Sequence, residues 1–522
     1  MRSFRFQSLR PALFCFLIVI ISVPVLFSAC ETPANPDVLV LCVEKDPATF
    51  DPLRGTADAV TSHVLQLMFD PLVVKDEHFN VVPRLATFEN SPDFTVFTFH
   101  LKPGIKFQNG KELTSADVKY TFDTIINPDR KITFRADYAQ LAKIETPDPA
   151  TAIFYFKQPT TNFLINIVPI GIMPEGSADT IATDPIGTGP FRKVGYVRTQ
   201  YVDFEAYDGY FGGAPKVKKL RVRVVPDDST RQLEFANGTI DLAVNTLFSP
   251  DTIDSMAHTP GLKVEISPGT RFYYVGINNQ DPILQNKLVR QAIAYGIDRD
   301  IILKQIWRDQ ARKSNGALPP EHWAYEPDAR VYDYNPNLAS QLLDQAGYPQ
   351  KGTEPRLKIR MASSSVAQSR QAAAIFQEQM RQIGVELELE QFETQTFTQR
   401  TRQGQYQLSY SNWVGANEDP DFFRFSYATV SIPNEGNRYF PGNRARYSNP
   451  AIDQLLDQAS RTYDQESRKK IYSEIQKIIA EDLPMIPLWY ASTVAVMTER
   501  VGNVHVDPGA SFYFIKDVTL KK

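Results

Sequence analysis

Apolar and polar positions change their period many times along this chain, and each change marks an element. Thr95-Val96-Phe97-Thr98-Phe99-His100-Leu101 alternates with period two, the pattern of a strand with one buried face. Pro103-Gly104 turns it, and Phe107 and an Asn109-Gly110 turn follow. Thr114 then caps a helix opening Ser115-Ala116-Asp117-Val118. Leu220 to Val225 predicts a strand, Asp227-Asp228-Ser229 offers a cap for a helix over 230–236, and Asn237-Gly238 ends that helix. Ile240 to Val244 resumes a strand. Beyond it the pattern predicts a strand over 272–278 and a helix over 287–297 with Leu288, Ala292, Tyr295 and Gly296 along one side. A helix over 335–346 closes at Gly347, a strand covers 355–361, a helix over 368–383 closes at Gly384, and a strand covers 385–390. Residues 451–480 hold two helices with a break near Tyr463-Asp464. Short strands alternating with longer helices predict α/β layers with largely parallel pairing.

The N-terminus follows another rule. Arg2, Arg5 and Arg10 precede any acid, and Ala12 to Phe27 is almost wholly apolar with Pro24 inside it. Sixteen helical residues rise only ~24 Å, short of a ~30 Å hydrocarbon core, so the segment reads as a secretory signal over 1–29. Leu26-Phe27-Ser28-Ala29-Cys30 resembles a bacterial lipobox, in which the cysteine is lipidated and becomes the first residue; Phe27 stands where leucine is usual. Cleavage near Ala29 without a lipid is the plainer alternative. Residues 30–37 read as a polar tether, and nothing after residue 30 is apolar enough to span a bilayer. The expected mature protein is tethered to a membrane rather than embedded in it.

Composition narrows the chemistry. The 522 residues are 43% hydrophobic and 22% charged, an ordinary globular balance with length for about three compact units. Net charge is −4, and removing 1–29 takes three arginines and makes it −7, which argues against a nucleic-acid partner. Three cysteines with no C-x-x-C pair exclude a thiolate zinc site. Cys15 leaves with the signal, and Cys42 in Val38-Leu39-Val40-Leu41-Cys42-Val43 reads as a small buried hydrophobe. The six histidines show no pair at ligand spacing, and no G-x-S-x-G elbow occurs. Gly104 to Lys111 spaces its glycines wrongly for a phosphate loop, and Glu112 follows the lysine where a hydroxyl is needed. No catalytic residues, cofactor or metal are therefore expected, and a binding protein is favoured.

Several stretches together carry a resemblance. They are Thr49-Phe50-Asp51-Pro52, Phe69-Asp70-Pro71-Leu72, Phe107 to Val118, Ile186-Gly187-Thr188-Gly189-Pro190-Phe191, and Tyr207 to Pro215. Asn278, Val289 to Arg299, Leu342 to Tyr348, Trp413 to Pro420 and Leu483 to Leu488 continue the series. From about Val38 to Phe514 the chain resembles the bacterial extracellular solute-binding proteins of family 5, the oligopeptide, dipeptide and nickel type that serve ATP-binding cassette importers. The resemblance implies a two-lobed flytrap of α/β class. Lobe I would span 38–268 with an extra subdomain at about 75–185, lobe II would span 269–484, and 485–522 would return to lobe I. Crossings near Pro268-Gly269 and Pro484 would make the hinge, and the solute would lie between the lobes.

Site residues follow from the same resemblance. Peptide-binding members hold an extended peptide mainly by its backbone and pair its ammonium with an aspartate after the tryptophan matching Trp413. Ala416 stands at that position here and cannot pair with an amine; Glu418 or Asp419 could substitute if the loop shifts. Trp413 would cover an apolar part of the ligand, and Asn412 offers both a donor and an acceptor. Arg370, at a helix start, occupies the place of a carboxylate-binding cation, with an exposed surface arginine as the alternative. Tyr273 and Tyr274 lie beside the hinge, and alternation turns one toward the sheet's packed side and the other toward the cleft. Arg438, Arg444 and Arg446 form a basic cluster in a Gly/Asn/Pro-rich loop that either favours an anionic ligand or is simply solvated. The expected function is solute capture and delivery to permease subunits by a monomer held at the extracytoplasmic face through Cys30, with peptides or peptide-sized solutes as ligand. An oligosaccharide, metal chelate or other nutrient is the alternative ligand, and a sensor for a membrane signalling partner is the alternative role.

Overall fold

A computed structural model describes residues 36–54, 58–244, 248–415, 419–434, 436, 442–462 and 464–521. Among them one large sheet runs through the whole molecule. Its strands follow in the order Val385–Phe392, Leu357–Ser364, Leu408–Trp413, Leu262–Ile277, Met485–Thr498, Leu242–Val244, Val38–Val43, Lys219–Val224, Tyr201–Ala206 and Phe191–Val197. Ala311–Lys313 adds to Met485–Thr498 off this path. A separate four-stranded antiparallel sheet, Ala86–Asn90, Val96–Leu101, Thr151–Phe156 and Leu141–Asp148, packs under the Ser115–Ile126 helix.

Two strands link the halves. Leu262–Ile277 and Met485–Thr498 pair antiparallel along most of their length, interrupted by a register shift between Ser267 and Arg271. On one side of that shift, Ala495 and Met497 join the core built around Leu39, Leu41 and Val222. On the other, Tyr273, Val275, Leu488 and Trp489 belong to a second core with Ile359 and Phe376, while Phe272, Tyr274 and Tyr490 face a third with Phe422 and Tyr472. The lobes thus share strands while keeping separate cores. Met485 to Ala491 packs with the second lobe, so the chain crosses between Ala491 and Thr493. Gly269 sits inside the shift, where an added Cβ would stand 2.2 Å from the Ala491 carbonyl oxygen.

Parallel pairing is less general than the alternation of strands and helices implied. In the large sheet, Val38–Val43 pairs parallel with Lys219–Val224 and Leu242–Val244, and Leu357–Ser364 with Val385–Phe392 and Leu408–Trp413. The remaining pairings, including both crossing strands and the Phe191–Val197 hairpin, are antiparallel. Parallel neighbours need a crossover, and the chain makes them only where helices intervene; hairpins and the two long strands supply the rest.

The stretches that carried the resemblance fold against one another. Gln108 Nε2 donates to the carbonyls of Gly189 (3.0 Å) and Phe191 (2.8 Å), fastening the strand-to-helix segment to the Gly-Thr-Gly turn. Gly187 needs its missing side chain, because a Cβ there would lie 2.1 Å from the Met68 carbonyl oxygen. The fully buried Asp117 accepts from the Thr114 amide, pairs with Lys111 at 2.6 Å and takes the Glu175 amide at 2.8 Å. Asp70, also fully buried, holds Arg84 at 2.8 Å and accepts from the Tyr210 hydroxyl. These residues brace lobe I. Cys42 is fully buried, and that burial pushes its thiol up to about 12, so it packs as a hydrophobe.

Candidate functional site

Sheet geometry sets where a site can form. Phe272 pairs with Trp413 immediately past the Arg271–Ala491 pair, so Trp413 ends its strand at the edge of the second lobe that borders the crossing. Tyr274, two residues on, turns to the same face and stacks on Trp413 with ring centroids 6.4 Å apart at 14°. Tyr273 points the other way, into the core with Tyr410, Trp307 and Trp489. Both tyrosines are buried. Phe422 and Phe425 meet the Trp413 ring edge-on, at 6.0 and 5.5 Å.

The Arg444 guanidinium carbon lies 4.5 Å over the centre of the Trp413 ring. Burial holds this guanidinium below its ordinary pKa, with neighbouring Arg402 adding like charge. Its Nε and the Trp413 Nε1 are buried and lack a hydrogen-bond partner. Arg446, by contrast, donates to the carbonyls of Pro433 and Arg402. Of the described members of the basic cluster read from sequence, only Arg444 meets the tryptophan; Arg438 lies outside the described residues.

Asp419 follows the loop after Trp413, and its carboxylate accepts the Asp421 amide at 2.7 Å. Burial first, and the nearby Asp421 charge second, push its carboxyl up to about 6; Arg468 and Lys75 pull the other way. Asp421 is raised too, mainly by burial, with Arg424 and Arg468 opposing. Arg468 stacks near Trp323 and Tyr472, 5.7 and 5.6 Å from their ring centres.

The first lobe reaches this region through the short hairpin Val73–Lys75 and Val81–Pro83. Asp76 shapes its tip by accepting the amides of His78 and Asn80, and Phe79 takes a left-handed backbone at φ 63°. Phe79 is buried against the His322 ring, 5.6 Å away at 16°. The His78 carbonyl accepts from the Trp323 amide at 3.4 Å, and Asn80 Oδ1 accepts from Gln465 Nε2 at 2.9 Å. The hairpin therefore latches one lobe to the other. Phe79, His322, Trp323 and Arg468 were not among the site residues read from the sequence. The available signal was an aromatic alone in the polar turn Asp76-Glu77-His78-Phe79-Asn80.

Other expected residues lie elsewhere. Arg370 is exposed in the first turn of Ala367–Gln382 and donates to the Ser365 carbonyl. Asn412 is exposed on the strand face opposite Trp413. Among the described residues, no hydrogen bond or ring contact joins either of them to Trp413 or Asp419. Ala416 and Glu418, like Cys30, fall outside the described residues. Among the described residues no helix is long and apolar enough to cross a membrane, and no cluster of His, Cys, Asp and Glu could hold a metal ion.

Comparison with known proteins decides the family. The model of the bacterial extracellular solute-binding proteins, family 5 (middle region), matches residues 80–434, more than half of the chain. The chain belongs to that family. A heme-binding protein A of Haemophilus influenzae is 28% identical over 504 residues, covering 90% of each chain. A dipeptide-binding protein of Escherichia coli is 24% identical, with 91% of this chain and 93% of the relative covered. Among solved structures, a peptide-bound periplasmic protein from Helicobacter pylori superposes with a TM-score of 0.72 at 26% identity, over 93% of this chain and 98% of that one. A substrate-binding protein from Listeria monocytogenes reaches 0.83 at 24% identity, over 94% and 100%. The fold is thus the two-lobed periplasmic-binding-protein type, and the chain is a solute-binding component of ATP-binding cassette import rather than an enzyme.

Proposed function

We propose that this protein is a lipid-anchored receptor that captures a peptide or peptide-sized solute between its lobes and hands it to importer permeases. The observation that carries the reading is the pair of strands crossing at Ser267–Arg271 and Ala491–Thr493, with Trp413 ending its strand beside that crossing and the Phe79 hairpin of the first lobe packed on His322 and Trp323 of the second. A cleft closed from both sides excludes water, which strengthens each polar contact with a bound solute. Binding would bias an open–closed equilibrium, with the closed form presented to the permease. Peptide-binding relatives support a peptide as ligand, and Ala416 argues that a free amine is not its main anchor. Lobe I would comprise 38–268 and the chain after the second crossing, with about 75–185 as its added subdomain.

The test is direct. Protein purified under native conditions and then denatured should release a stoichiometric small solute identifiable by mass spectrometry. Adding that solute back should shrink the radius of gyration in small-angle scattering with no change in far-ultraviolet circular dichroism. An unchanged radius with solute bound would refute hinge closure.

A further inference from the structure

We propose that Arg444, seated over the Trp413 ring, receives a carboxylate of the solute, so that this cleft selects a carboxylate-bearing ligand. The inference rests on the reading of the cleft as the solute site and names the chemistry of its ligand.

Several other cations of the two lobes are engaged. Arg424 reaches Asp457 at 3.0 Å, Arg312 holds Glu321, and Arg446 is bound to two carbonyls. Arg468 and Lys75 lie within the field of the Asp419 carboxyl. Arg444 stands apart. Its electrostatic neighbours are Tyr274, Tyr406 and the like-charged Arg402, with no carboxylate among them. Its only ring or polar side-chain contact among the described residues is the Trp413 face. A partly buried cation without a counter-charge destabilises a fold, so it persists where something else requires it.

The aromatic partner also limits what it can bind. An indole face accepts no conventional hydrogen bond, so a guanidinium seated over it keeps N–H donors that suit the two oxygens of a carboxylate. The indole Nε1 of Trp413 is a second buried donor lacking an acceptor. Two unmatched donors on this cation and ring, at the strand end nearest the crossing, call for an anionic oxygen. Removing the arginine should therefore lower affinity without lowering stability, whereas a side chain that only braced Trp413 would lower both.

The experiment uses the full mature protein and its Arg444→Met and Arg444→Lys variants. Trialanine, trialanine amide, succinate and inorganic phosphate are the probes, read by calorimetry and thermal unfolding. The expected result is that wild-type protein binds trialanine at least tenfold more tightly than the amide. Arg444→Met should lose that preference while melting at the same or a higher temperature, and Arg444→Lys should keep part of it. Equal wild-type affinity for acid and amide, or an unchanged preference in Arg444→Met, overturns the assignment and leaves solute capture intact. If succinate binds through Arg444 and trialanine does not, the peptide reading fails and the carboxylate assignment stands. If neither carboxylate binds, if phosphate binds in their place, or if Arg444→Met melts several degrees lower, the assignment is overturned.

Discussion

Asp419→Asn should stabilise the protein at neutral pH and leave it unchanged in acid. The Asp419 carboxyl sits at about 6, raised first by burial and then by the neighbouring Asp421 charge. An unfolded aspartate titrates near ~3.9, and each pKa unit of difference is worth ~1.4 kcal/mol, so ionised Asp419 costs the folded state up to ~3 kcal/mol. The sign follows from proton binding. Below about 4 both states hold the proton and no cost arises; between about 4 and 6 the folded state binds more protons, and stability falls as pH rises; above about 6 the full cost is present. Asparagine keeps an oxygen for the Asp421 amide and is neutral throughout. Asp421 will ionise more readily once its neighbour is neutral, and the part-exposed loop admits solvent, so ~1–2 kcal/mol is the expected gain at pH 7.5. Urea unfolding of both proteins at pH 4, 5, 6 and 7.5 measures it. A difference that stays flat across that range, or a variant less stable at pH 7.5, would refute the account of Asp419 as a buried acid without a direct cation.

Three further outcomes test the rest. Gly269→Ala forces a methyl against the Ala491 carbonyl and should destabilise by ~1–3 kcal/mol in urea unfolding, while altering the ligand-dependent change in radius of gyration. Cys30→Ser should release the protein from membranes and abolish labelling by a fatty-acid analogue, since two or more acyl chains at ~0.8 kcal/mol per buried CH₂ anchor stably; absence of label on the unmodified protein would refute lipidation. N-acetylating a bound peptide should cost this protein little, whereas Ala416→Asp should restore a preference for the free amine of roughly tenfold, the value of one charged hydrogen bond by calorimetry.

Much of the fold was readable from periodicity. Strands at Val96–Leu101 and Lys219–Val224, the Lys287–Tyr295 and Ala367–Gln382 helices, and the paired helices Pro450–Arg461 and Gln465–Asp482 lie within a few residues of their sequence patterns. Met485–Thr498 was not read as one strand, because it is buried on both faces and its apolar residues show no alternation. Pro484 pointed to the neighbourhood of the second crossing, but the side chains that choose a lobe lie beyond it, from Met485 to Ala491. The site was less legible. Alternation said that Tyr273 and Tyr274 part company, and only the packing of Trp413 on Tyr274 says which of them shares a face with the tryptophan. Arg444 looked like one of three similar arginines, since nothing local distinguishes a stacked guanidinium from a solvated one. Phe79 meets its partner His322 across more than two hundred residues, a pairing no window of sequence contains.

The strand order also dictates when this chain can fold. Leu242–Val244 joins the first-lobe sheet between Val38–Val43 and the far end of Met485–Thr498, so a central strand of that sheet is among the last segments synthesised. At ~5–20 residues per second, the ribosome spends roughly 20–90 s between Val38–Val43 and Met485–Thr498. Throughout that interval the nascent chain lacks a closing partner for the edge at Leu242–Val244, and long-range pairing keeps the search slow. For an extracytoplasmic protein such lateness is an advantage. A chain that cannot complete its first-lobe sheet until its C-terminal strand emerges is suited to threading through a translocation channel before it folds.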